Sequence, residues 1–271
     1  MVVQQSRPSA RTWVLAAIEL IAAIAVARLI IANDNTAGAH HHMPGMDMGA
    51  PAVRVAQWAW PEYIAIAVAA VALIWWLTTR RAIAALLTGA ALALLAASAG
   101  MRILVTQSHL VAMVALELLL VIAPLLILAG IKPDTGLRGR GGIWTVFAVT
   151  TAVAYSALLI TVHLPAVHNR AAELGAAPLW VAIVTLIVGI CYWFAVLRTG
   201  ARVPVRIRRA VLLGAQEVAA FIGLLSLFGA WGAMGQTSPL GISSAWDQRL
   251  GGLFMMATCA AVAIPLLRRL N

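Results

Sequence analysis

The sequence predicts an all-α protein: a polytopic transmembrane helical bundle of eight spans with both termini in the cytoplasm. Three observations predict it. Hydrophobic residues make up 63% of the 271-residue chain and charged residues 10%, with a mean hydropathy of +0.95; a soluble domain is about half apolar and a quarter charged. Eight apolar runs are each long enough to cross a hydrocarbon core of roughly 30 Å. Basic residues then segregate by alternate loops. One side collects Arg7, Arg11, Arg80, Arg81, Lys132, Arg138, Arg140, Arg198, Arg202, Arg206, Arg208, Arg209, Arg268 and Arg269, and the other only Arg54, Arg102, Arg170 and Arg249. The positive-inside rule makes the richer side cytoplasmic and explains the formal net charge of +10 without a nucleic-acid partner. A multi-pass cell-membrane protein, in a bacterial plasma membrane, is expected.

The first run, 13–32, contains Glu19 and Arg28. Ala37-Gly38-Ala39 beyond it resembles a signal-peptide cleavage site, which would free His40 as an amino terminus. The run is long for a signal sequence and polar Asn33-Asp34-Asn35 follows, so an uncleaved helix is expected. The outer connection 33–59 carries HHHMPGMDMG. It is too interrupted by Gly and Pro for a helix and too short for a domain, hence a tether. Its His40, His41, His42, Met43, Met46, Asp47 and Met48 combine imidazole, thioether and carboxylate. Soft sulfur suits Cu(I) and imidazole accepts either copper oxidation state. Methionine in a solvent-facing loop has no packing role, so copper capture is the reading.

Runs 61–78 and 82–99 complete an N-terminal three-helix segment, 1–100. The fourth run, 103–130, exceeds what a bilayer needs, so it is expected to tilt, protrude or kink near Pro124. His109, Met113 and Glu117 at i, i+4 and i+8 share one face. Polar side chains are costly in hydrocarbon, so that face turns inward. Seven residues past Arg102, at about 1.5 Å each, put His109 roughly 10 Å below the outer surface. The fifth run, 143–162, leads into HLPAVHNR with His163 and His168; the sixth is 179–197. The seventh, 211–232, is followed by Met234 and bears Gln216 and Glu217, read as an interhelical hydrogen bond or a relay. The eighth, 250–267, opens with Met255, Met256 and Cys259, at spacings that share a face. No polar chain is evident below Glu117. Five of the six histidines fall in or beside outer loops and the sixth is His109.

Cys191 and Cys259 both lie in apolar runs, giving no disulfide framework and no C-x-x-C motif. Ser-His-Asp, phosphate-loop, H-E-x-x-H and haem-attachment patterns are absent from the sequence, so an enzyme is not expected.

Four stretches together resemble the CtaG family, membrane proteins associated with assembly of haem–copper cytochrome oxidase: SHLVAMVALELLLVIAPLLILAG, HLPAVHNRAAE, LWVAIVTLIVGICYWFAVL and WDQRLGGLFMM. His109, His163-Leu164-Pro165 and Asp247-Gln248-Arg249-Leu250-Gly251-Gly252 match the family pattern. The resemblance covers 101–271, a five-helix region. Met113 stands where the family sets a second histidine, which keeps a copper-competent donor. Leu179 and Trp180 stand where histidines enter helix six, which removes ligands. The resemblance implies a protein that assists metallation of a copper-containing membrane enzyme such as cytochrome c oxidase, for which residues 40–48 would collect copper on the outer face. His109, Met113, His163, Asp247, Met255 and Cys259 would hold or relay the ion. Two other readings are a structural accessory subunit of a respiratory or copper monooxygenase complex, and a copper transporter continuing inward through Glu117 and Glu217. Membrane lipid and a homo-oligomer complete the expected partners.

Overall fold

The structure, a computed structural model, describes residues 58–131, 141–229 and 239–270, apart from the side chain of His168. The first expected span, the loop with His40, His41, His42, Met43, Met46 and Met48, and Met234 lie outside the described residues. Those described form helices α1 (Trp60–Thr79), α2 (Ala82–Ala97), α3 (Ala99–Leu104), α4 (His109–Gly130), α5 (Gly141–Val162), α6 (Pro165–Leu174), α7 (Leu179–Arg198), α8 (Val205–Leu227) and α9 (Ser244–Arg269), with no β-strand among them. Six of these, α1, α4, α5, α7, α8 and α9, are long and apolar enough to cross a membrane, and α2 is a shorter apolar helix.

The expected fourth run is divided. Serines at 98 and 108 each start a new helix: Ser98 Oγ accepts from the Met101 amide at 3.3 Å and Ser108 Oγ from that of Val111 at 3.2 Å. A side-chain oxygen at this position satisfies an amide with no intrahelical partner. The excess length is therefore taken up by a short α3 and a break at 105–108, and His109 begins α4. Glu62, near the start of α1, accepts from the Gly100 amide at 3.1 Å and so ties α1 to α3.

Inside α4, residues Leu118–Ile122 form a π-helical turn directly before Pro124. Proline has no N–H for the carbonyl four residues back, that of Leu120, which would be costly to leave bare in hydrocarbon. The Trp193 indole of α7 donates to it at 2.7 Å. Gly189, one turn earlier on α7, allows this approach: a Cβ there would lie 2.8 Å from the Leu120 oxygen.

Five helices, α4, α5, α7, α8 and α9, enclose the main core around Leu120, Tyr155, Leu159, Tyr192, Trp193, Leu212 and Met255. α2 packs on the second half of α4 and α1 packs on α2, and Gly89 and Gly130 admit the close contact of α2 with α4. Small residues at crossings are how membrane helices gain packing without a hydrophobic drive between them. Val71, Leu94, Ile143, Val146 and Leu253 point outward and are exposed, as apolar side chains facing lipid do. α8 and α9 each begin about six residues before the apolar runs suggested, so Asp247 lies in the first turn of α9.

Candidate functional site

The site is assembled where the starts of α4 and α9 meet the ends of α5 and α8. Asp247 is 3% exposed. Its Oδ1 accepts from the Ser108 hydroxyl at 2.7 Å and its Oδ2 from the His109 backbone amide at 2.5 Å. A carboxylate at a helix N-terminus meets unpaired amides and the positive end of the helix dipole. These two bonds use the carboxylate to fix the start of α4, and so the direction in which His109 leaves it.

His109 is buried, and its Nε2 lies 3.1 Å from Ser226 Oγ on α8. The Ser226 hydroxyl donates its one proton to the Ile222 carbonyl at 3.1 Å, so toward His109 it accepts. In the neutral ring Nε2 then carries the proton and Nδ1 is the basic nitrogen. His163, buried just beyond α5, has the opposite tautomer. Its Nδ1 is 2.7 Å from the Leu159 carbonyl, which only accepts, so Nδ1 bears the proton. In the neutral ring Nε2 then carries the lone pair, and it stands 3.3 Å from the Met113 thioether sulfur. The two imidazoles stand 6.2 Å apart, edge to face.

Gly251 makes room for this arrangement. A Cβ there would sit 2.8 Å from His109 Cδ2 and 3.1 Å from Met113 Cγ, and one on Gly252 would sit 2.4 Å from the Gly223 carbonyl. In Asp247-Gln248-Arg249-Leu250-Gly251-Gly252, Asp247 thus anchors α4, Gly251 admits the His109–Met113 face, and Gly252 lets α8 and α9 touch.

The structure brings His109, Met113 and His163 together, with Asp247 at their margin. Met255 is fully buried in the same core as Met113. Cys259, one turn deeper, belongs to a second polar layer around Glu117. There Tyr155 lies within electrostatic reach of Glu117, Tyr192 and Cys259, and the Gln216 amide stands close to both tyrosine hydroxyls. The tyrosine rings stack with centroids 4.3 Å apart. Glu117 Oε2, Tyr192 Oη and Gln216 Nε2 are buried without a hydrogen-bond partner among the described residues. Sequence reasoning singled out Glu117 but not the polar side chains that surround it. The signal was Gln216, a lone amide in an apolar run; the tyrosines resemble ordinary core residues in sequence. Glu217 is exposed and lines a shallow outer groove with Gly214 and Phe221, outside this layer. Leu179 and Trp180, at the start of α7, are exposed.

Among the described residues no three of His, Cys, Asp and Glu converge as a metal-holding group. His163 Nε2 and Met113 Sδ, one nitrogen and one sulfur, stand 3.3 Å apart. No protein-family model, curated protein or solved structure matches the chain.

Proposed function

We propose that the protein is an integral membrane copper-binding protein of the CtaG type, which collects copper at the outer face and assists metallation of a copper-containing membrane enzyme such as cytochrome c oxidase. One observation carries the reading: His163 donates from Nδ1 to a backbone carbonyl and turns Nε2 on Met113 Sδ. Histidines that bind metals commonly spend their other nitrogen on such an acceptor, which fixes ring and tautomer. Two unprotonated donors, one borderline and one soft, have little to offer each other but suit Cu(I). His163 and Met113 would hold the ion, with His109 as a further donor. Asp247 and Ser226 would orient the imidazole-bearing helix. The ion is cargo passed by ligand exchange, and no catalytic step is involved.

The eight-span, cytoplasmic-termini topology belongs to this proposal, because it sets the His109 end outward, where the segment 40–48 would collect copper. The transporter reading gains from the polar layer at Glu117. Below that layer, however, the core closes with Val196, Leu212 and Leu128, which favours holding and hand-off over passage.

The test is metal analysis of purified protein after Cu(I) loading and removal of excess. Wild type should retain copper, and His163→Ala should lose most of it. X-ray absorption of the loaded protein should report mixed nitrogen and sulfur donors. Retention of no copper by folded wild type would leave the structural accessory subunit as the better reading. Deletion of 40–48 should lower target metallation at scarce copper and be masked by added copper, because mass action replaces a collector.

A further inference from the structure

Beside the His163–Met113 pair lies a cleft of which the copper reading uses only Met113. α7 packs along the second half of α4, Leu118 onward, and the helices diverge toward the His109 end. The wedge between them is a cavity of about 480 Å³, lined by Ala112, Leu116 and Leu119 of α4 and by Val181, Ala182 and Thr185 of α7. Its roof is α6, an interfacial helix begun by Pro165 and ended by Gly175 at φ +70°. α6 turns Ala166, Val167, Ala171 and Leu174 into the wedge and keeps Asn169 and Glu173 exposed.

Two arginines stand at this otherwise apolar cleft. Arg170 is compensated by Glu173 at 2.7 Å, the one ion pair among the described residues. Arg102 is not compensated in that way. Its Nη1 donates to the Ala177 carbonyl at 3.0 Å, which holds the guanidinium in place. Its Nε–H is buried with no hydrogen-bond partner among the described residues. An apolar slot of this size with one fixed polar group is the usual form of a small-molecule site. A guanidinium with donors to spare selects phosphate or carboxylate oxygens.

We propose that this cleft is a binding site for one anionic phospholipid, its acyl chain in the α4–α7 wedge under α6 and its headgroup phosphate on Arg102. Met113 lines the cleft as well as touching His163, so a bound chain seals the thioether from bulk lipid. The site stands on the cavity and Arg102 and does not depend on copper binding.

The test uses the full-length protein, purified in detergent, exchanged against mixed micelles of phosphatidylglycerol and phosphatidylcholine, and read by native mass spectrometry. One phosphatidylglycerol should be retained in preference to phosphatidylcholine. In Arg102→Gln that preference should fall about tenfold, the value of one charge-assisted hydrogen bond. Arg249→Gln, an exposed arginine at the same end, should leave it unchanged. Ala112→Phe, which fills the wedge, should expel the lipid; if that variant does not fold, Ala166→Trp on the roof helix fills it from above. Equal retention of both lipids by wild type, an equal effect of Arg249→Gln, or undiminished retention in a folded filled-cleft variant would each overturn the proposal.

Discussion

His163 is oriented by a bond to its own helix, that of Nδ1 to Leu159, so its other nitrogen is committed to Met113 before any ligand arrives. This separates donor chemistry from packing. Met113→Leu conserves volume and should cost less than about 1.5 kcal/mol in stability, yet it removes the sulfur that faces that nitrogen. Competition with a Cu(I) chelator should show affinity falling at least about tenfold, while the melting temperature stays within a few degrees. Equal affinity in the two proteins would remove Met113 from the site. Tyr192 gives the opposite case. Among the described residues its hydroxyl is buried without a hydrogen-bond partner, and such a group destabilises by its desolvation, about 1–3 kcal/mol. Tyr192→Phe should therefore be neutral or stabilising in thermal unfolding. A clear loss would mean that the hydroxyl has a bound partner in the folded protein, such as water bridging to Glu117 or Gln216.

Helix α4 joins the His109–Met113 face to the Glu117 layer, and its shape depends on Pro124 in a way only partly legible in sequence. Proline announces a local break in hydrogen bonding. It does not tell that the preceding turn widens to a π-helix, or that an indole from α7 supplies the missing donor. Trp193→Phe keeps most of the ring but strands the Leu120 carbonyl, and should cost about 1–3 kcal/mol, read as a lower melting temperature in detergent. An unchanged melting temperature would show that the π turn satisfies that carbonyl by itself. The break at 105–108 was hidden for a related reason: an apolar run reports what crosses lipid but not where a serine restarts the helix. α6 was missed because HLPAVHNRAAE mixes polar and apolar residues at a spacing that hydropathy averages away. By contrast, His109 and Met113 on one face needed only helical periodicity, and each proved buried. Their meeting with His163 depended on which helices adjoin, which no single segment encodes.

Across the bundle, charge and chemistry occupy opposite ends. The helix ends at Thr79, Gly130, Arg198, Val205 and Arg269 gather Arg80, Arg81, Arg198, Arg202, Arg206, Arg208, Arg209, Arg268 and Arg269, whereas the His109 end bears Arg102, Arg170 and Arg249. Part of the basic end is structural, since Arg198 donates to the Leu128 and Ile131 carbonyls and so caps α4. Arg202, Arg206 and Arg268 are surface charges, and an excess of such residues holds its end of a membrane protein in the cytoplasm. The His109–Met113–His163 group should then open to the outer side. Single cysteines at exposed Glu173 and Arg202, in a Cys191→Ala, Cys259→Ala background, test this with a membrane-impermeant maleimide on intact cells. Glu173→Cys should label directly, and Arg202→Cys only after permeabilisation. The reverse pattern would turn the donors toward the cytoplasm and remove the outer-face capture step, whatever metal the site retains.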